Sequence, residues 1–255
     1  MTRIYINADD FGLNSSVNKA IIELFGQGII NSTTIMANMP AVNEAVELAH
    51  KHELTDKIGI HLVLTEGIPL TEEIRSVNFL FRGKALFNKF RHLTLLKKYQ
   101  RQIFNEFSAQ IEKIQSMNIA ITHLDTHHHV HEVYGITTLL FDLQKKYNIP
   151  SIRILNNLEK SNKFHKHLYR QLINYYIMKK NANYSDLFGN RSDFLLLLKD
   201  DPSLIGKKSI EIMVHPDYNL EGQLIDKEGN LEYDYIFLKS LKSMIFNNET
   251  HSNSL

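Results

Sequence analysis

Cysteine is absent from the 255-residue sequence. That excludes disulfides and thiolate metal sites, so any bound metal must be held by His, Asp, Glu or water oxygen. An excess of either charge is missing too: 29 Lys and Arg stand against 28 Asp and Glu, a formal net charge of +1 with histidine neutral. Such a balance creates no strong field to draw nucleic acid or a membrane surface. No apolar run approaches the roughly 20 residues of a membrane span. The opening MTRIYINADDFG has neither the long apolar stretch nor the small-residue cleavage site of a signal peptide. A cytoplasmic protein without nucleic-acid or membrane partners is expected. The sequence also lacks an internal repeat, a linker and a low-complexity block. Its 43% hydrophobic and 22% charged residues are ordinary for a soluble enzyme, and the length suits one domain over residues 1–255.

What is present is an alternation of short β-branched runs with longer helical periods, which predicts an α/β fold with a largely parallel sheet. Strands are expected at residues 3–8, 32–37, 58–64, 119–124, 151–155 and 210–215. Val17, Ala20, Ile21, Leu24 and Phe25 share one helical face, with Ser15 or Ser16 as the cap and Gly26 and Gly28 as the stop. Pro40 suits the first turn of a helix carrying Val42, Ala45, Val46 and Ala49 inward. A long amphipathic helix follows with Leu96, Tyr99, Ile103, Phe107, Ile111 and Ile114 on one face, and further helices are expected at 136–147 and 168–178. Residues 70–91 read as a loop or lid, and 184–198 carry no clear period. The last forty or so residues read as helical and polar, fraying beyond Asn247. A barrel of repeated βα units fits this length and order.

In such folds active sites form where the C-terminal ends of strands meet their loops. Here four strands end in acids or histidines: Asp9–Asp10, His61, the stretch from His123 to His131, and His215. The Asp9–Asp10 pair can be an Asx turn and cap, or one carboxylate can coordinate a cation while its neighbour acts as a base. A kinase reading of Asp10-Phe11-Gly12 fails for want of a glycine-rich loop and a catalytic-loop motif. His61 alone, in an apolar strand, is more often a satisfied core histidine than a ligand. The run His123-Leu124-Asp125-Thr126-His127-His128-His129-Val130-His131 puts five histidines in nine residues. A solvated histidine-rich loop is the alternative, but the run is internal and includes an acid. Imidazole binds transition metals and a nearby carboxylate fixes its tautomer, a role that suits Asp125. Five histidines cannot all bind one ion, so one or two ligands and several supporting groups are expected, with His129 among the supporting or substrate-facing ones. His215, before Pro216, is a candidate general acid.

Together these stretches resemble the YdjC-like carbohydrate deacetylase family, which includes the chitooligosaccharide deacetylases. The matching pieces are Asn7-Ala8-Asp9-Asp10-Phe11-Gly12; Gly59-Ile60-His61-Leu62-Val63-Leu64-Thr65 with Gly67 and Pro69-Leu70; Thr122 through His131; and His215-Pro216. The resemblance implies a distorted (β/α) barrel, a divalent ion held by Asp10, His61 and His127, Asp9 as catalytic base, His215 as catalytic acid, and a homodimer. It implies a hydrolase that removes the acetyl group from an N-acetylated carbohydrate, such as a chitooligosaccharide or its phosphate. For the ion it implies magnesium (Mg2+) or another divalent metal, whereas the donor set itself equally suits zinc (Zn2+), cobalt, manganese or iron. Arg153 is placed to meet a sugar phosphate or hydroxyl, or to make a salt bridge at the core edge. No motif is matched in residues 78–95 and 156–206. Two other readings stay open: a metal-dependent phosphoesterase, and a non-enzymatic metal- or sugar-binding protein.

Overall fold

A computed structural model describes residues 4–77, 93–159, 164–180, 182, 184–204, 207–227 and 231–232. Seven strands, β1 (Ile4–Phe11), β2 (Ser32–Ile35), β3 (Ile58–Leu62), β4 (His123–Thr126), β5 (Ser151–Ile152), β6 (Leu187–Asn190) and β7 (Ile210–Val214), pair in the order β5-β4-β3-β2-β1-β7-β6. Every pairing among them is parallel. The edge strands β5 and β6 follow each other in the chain, and the backbone closes between them: Tyr184 N donates to Ile152 O at 3.0 Å and Asn157 N to Phe188 O at 3.1 Å. The sheet therefore curls into a distorted (β/α) barrel. Helices α1 (Ser15–Gly26), α2 (Val42–Lys51), α3 (Glu72–Arg75), α4 (Leu93–Ser116), α5 (Tyr134–Tyr147), α6 (Phe164–Lys179) and α7 (Arg191–Asp200) alternate with the strands.

Successive strand residues point to opposite faces, and the two faces differ in chemistry. On one, Ile4, Ile6, Ala8, Ile58, Ile60, Leu62, Leu124, Ile210 and Ile212 join Val17, Ile21 and Leu24 of α1 and Ile103, Phe107 and Ile111 of α4 in one buried cluster. Each fully buried side chain of this kind stabilises by about 1.5–3 kcal/mol, which is why the helices lie where they do. On the other face stand Asn7, Asp9, Thr34, His61, His123, Asp125, Arg153 and Glu211, each no more than 2% exposed. Gly59 has a steric reason: a Cβ there would stand 2.5 Å from the His123 ring, which stacks on Tyr184 with centroids 4.1 Å apart.

Several expected boundaries move. The cap of α1 is Asn14, whose Oδ1 accepts from Val17 N at 2.9 Å, rather than Ser15 or Ser16. Pro40 lies ahead of the Ala41 cap of α2 instead of in its first turn. Strand β4 begins at His123, where its pairing with β5 starts, His123 opposite Ser151, and the register with β3 follows one residue later, Ile60 opposite Leu124. Residues 184–198 form β6 and α7 around a capping box of Asn190 and Asp193. The expected polar helix at the end is corrected over residues 216–232, where β8 (Pro216–Tyr218), β9 (Leu224–Asp226) and β10 (Leu231–Glu232) form an antiparallel sheet. A turn forces the hairpin: Gly222 has φ 76°, and Asn219 Oδ1 accepts from Glu221 N and Gln223 N. The expectations for residues 78–91 and 233–255, including the frayed tail, lie outside the described residues.

Candidate metal centre

The site forms at the C-terminal ends of β1, β3, β4 and β7. Strand β1 carries an irregularity in its register with β2 between Ala8 and Phe11, and Asp10 within it has φ 71°. A bulge re-aims side chains, so two adjacent aspartates that simple alternation would set on opposite faces both line one cavity. Asp10 Oδ1 lies 3.4 Å from His61 Nε2 and 3.1 Å from His127 Nδ1, and those two nitrogens are 3.2 Å apart. Although close to both rings, this buried carboxylate oxygen is aligned for a hydrogen bond with neither.

The far nitrogen of each ring explains why. His61 Nδ1 is 2.7 Å from Asp125 Oδ1, and His127 Nε2 is 2.8 Å from Glu66 Oε2. Carboxylates accept and never donate when ionised, so each ring has a proton on its far side, and in the neutral ring the inner nitrogen is the one left with a lone pair for an ion. Three lone pairs then converge on one point. Ligand atoms about 2.0–2.2 Å from a shared ion stand about 2.8–3.6 Å apart across octahedral and tetrahedral arrangements, and the observed triangle falls in that range. The donor set of two imidazoles and one carboxylate fits a divalent cation. Charge agrees. Burial pulls the His61 imidazole down, yet Asp125 and Asp10 outweigh it and raise it to about 10. Burial pushes the Asp10 carboxyl up, and the two histidines outweigh that and hold it well below the carboxylate range. Both shifts have the same cause, a cluster whose centre favours positive charge.

Beneath the triad, Arg153 ties three strands together. Its Nη1 and Nη2 donate to Asp9 Oδ2 and Oδ1, both at 2.7 Å, its Nη1 pairs with Asp125 Oδ2 at 2.6 Å, and its Nε donates to Glu211 Oε1 at 2.7 Å. Arg153 is fully buried and does not line the cavity. Arg153 thus makes the salt bridges of the second reading, deep inside the barrel. Burial pushes the Asp9 carboxyl up, but Arg153 outweighs it and holds the group well below its ordinary range. Asn7 Nδ2 donates to Asp9 Oδ1 at 2.7 Å as well.

Around the cavity, of about 500 Å³, His215 Nε2 comes within 4.0 Å of Asp9 Oδ2. His129 is half-buried at the cavity wall, edge-on to Phe188. Of the five clustered histidines, His123 and His131 are core residues, each pulled down to about 4 by burial. Three groups were not singled out by sequence reasoning. Glu66 follows the matched Thr65 by one residue, and its link to His127 crosses 61 positions of chain. Glu211 hides mid-strand among apolar neighbours, where its alternation with Ile210 and Ile212 was the available signal. Lys227 reaches the cavity from beyond β9, the stretch read as helix.

A family model described as YdjC-like protein matches residues 3–245. A carbohydrate deacetylase of Clostridium beijerinckii is 34% identical over 246 residues, covering 95% of this chain and 91% of that protein. Another, from Geobacillus stearothermophilus, is 40% identical over 149 residues, covering 57% of each chain. A solved structure, of a proposed cellobiose-phosphate cleavage protein from Enterococcus faecalis V583, superposes with a TM-score of 0.71 at 23% identity, covering 96% of this chain and 94% of that one. At that identity the likeness shows the fold.

Proposed function

The chain belongs to the family of YdjC-like proteins, and from that premise we propose that it is a carbohydrate deacetylase that uses a divalent cation held by Asp10, His61 and His127. The observation that carries the reading is the convergence of Asp10 Oδ1, His61 Nε2 and His127 Nδ1 within 3.4 Å of one another, at the rim where Asp9 and His215 also meet. The substrate is an N-acetylated sugar, and the products are acetate and the free amine. Magnesium follows from the resemblance, while two imidazole donors favour a transition ion such as zinc. A cytoplasmic homodimer belongs to the same reading, and light scattering of the purified protein tests the dimer.

A cation at this triad would supply Lewis acidity, acidifying water and polarising the amide carbonyl. The residues of the chain do the rest. Asp125 and Glu66 fix the tautomers of His61 and His127, so each ring faces the cavity with a lone pair. Asp9 accepts the proton of the attacking water as the water oxygen bonds to the acetyl carbon. Its clamp by Arg153 keeps it ionised and also makes it a weak base, which the acidity a bound cation would lend the water would offset. His215, protonated, gives its proton to the departing nitrogen as the C–N bond breaks, without which the tetrahedral adduct reverts.

Acetate release from an N-acetylglucosamine oligomer, measured beside metal content, tests this. Asp9→Asn is expected to keep its metal and lose about 10²–10⁴-fold in turnover, whereas Asp10→Asn loses both. If Asp9→Asn empties the site and Asp10→Asn does not, the two roles are exchanged. Phosphate release from aryl phosphates, with no acetate from any acetylated sugar, overturns the reading in favour of a phosphoesterase.

A further inference from the structure

The mouth of the cavity holds a second group of donors, which shares His127 and Glu66 with the first centre and adds His128. His127 has its Nδ1 toward Asp10 and His61, and its Nε2 lies on the other side of the ring, beside Glu66 Oε2 at 2.8 Å. His128 sets its ring against that of His127, centroids 3.9 Å apart and planes 37° apart. One ligand atom from each of Glu66, His127 and His128 lies within 4.8 Å of the others, and all three residues line the cavity. Neighbouring residues seldom present both side chains to one point. Here consecutive left-handed conformations at His128 (φ 53°) and His129 (φ 50°) turn the chain so that they do. Such conformations are uncommon outside glycine, persist only where surroundings over-determine them, and cluster at functional sites.

We propose that Glu66, His127 and His128 form a second, weaker cation site, selective for a zinc-class transition ion, whose occupation blocks the cleft and inhibits the enzyme. The inference rests on the proposed function in one respect, that His127 Nδ1 belongs to the first ion; the His127 ring then bridges the two. Two imidazoles and one carboxylate favour zinc, copper or nickel over magnesium. Coordination at His127 Nε2 replaces the proton shared with Glu66, which leaves to solvent. The second site is the weaker because Glu66 has a side chain 45% exposed and His128 is exposed, so water competes there, whereas the first triad is buried.

The test is equilibrium dialysis of the full chain against rising zinc, counting ions per chain, with acetate release measured alongside. Wild type is expected to bind one ion tightly and a second at least tenfold more weakly, with activity falling as the second binds. His128→Asn keeps a residue that tolerates the left-handed backbone while removing the imidazole. It is expected to retain the first ion, to weaken the second at least tenfold, and to shift inhibition, relative to its own uninhibited rate, by the same factor. His128→Gly, free of any backbone penalty at that position, should behave alike. A single ion per chain at every zinc concentration overturns the second site, and so does a second ion of unchanged affinity in both variants. Equal second-ion binding with magnesium overturns the selectivity. A wild type that binds no ion at all overturns the first-site reading, an outcome distinct from the others.

Discussion

The two faces of the barrel sheet are built from the same strands by opposite physics. Along β1, Ile4, Ile6 and Ala8 join the apolar cluster, while Asn7 and Asp9, on the alternate positions, enter a network of hydrogen bonds and ion pairs. The outer face gains stability from area alone, and any apolar group of suitable volume serves there. Inside, each buried charge is tolerable only because its partner is present: Arg153 faces acids from β1, β4 and β7 at once. The difference teaches where this fold keeps its chemistry. Stability comes chiefly from the outer face, and the inner face uses it to hold groups that would otherwise be solvated.

The largest expected effect breaks the inner face. Arg153→Met leaves Asp9, Asp125 and Glu211 without their shared cation, and removing one partner of a buried pair commonly costs about 3–5 kcal/mol. Urea denaturation reads this, and a loss under about 1 kcal/mol would mean the network is not what the geometry indicates. On the outer face, Leu62→Ala removes a fully buried side chain and is expected to cost about 2–5 kcal/mol. Metal affinity, measured in the same samples, should change in the Arg153 variant and stay near wild type in the Leu62 one. A smaller effect is expected of Glu66→Gln, which keeps an acceptor for His127 Nε2 but removes its charge. Loss of such a supporting group typically lowers metal affinity about 10–100-fold, and a variant that binds metal like wild type would remove Glu66 from the centre.

Legibility in the sequence divides along the same line. The outer face could be read because apolar residues at period two or 3.6 repeat locally, as in Ile58, Ile60 and Leu62 or in Ile103, Phe107 and Ile111. Asp9, Asp10, His61 and His127 could be nominated because each stands where a strand pattern stops, and the structure brings all four to one cavity. Arg153 could not be read as a buried hub, since its partners lie 144, 28 and 58 positions away. Strands β8, β9 and β10 have only three, three and two residues, too few for a period of two to emerge. The left-handed turn at His128 and His129 leaves no trace in a row of identical letters.

The smallest effect is read as a slope. Burial pushes the Glu211 carboxyl up, against the pull of Arg153, from 4.5 to about 7, and its Oε2 has no hydrogen-bond partner among the described residues. Between those two values the folded chain holds a proton that the unfolded chain has released. Stability contributed by this group is therefore full below about 4.5 and is lost as pH rises toward about 7. Asp9 has the opposite sign: its carboxyl is held low, so its contribution is present above the ordinary carboxylate range and lost as pH falls. Glu211→Gln substitutes a neutral group of nearly the same shape, which keeps an acceptor for Arg153 Nε and cannot titrate. Across that window the variant is expected to gain on wild type by at most about 1.4 kcal/mol per pH unit, the limit for one proton. Denaturant midpoints of both proteins, measured at half-unit steps under constant metal, give the difference directly. A difference that stays flat would mean Glu211 is ionised throughout, and the inner face would then carry one more negative charge than its neighbours can easily offset.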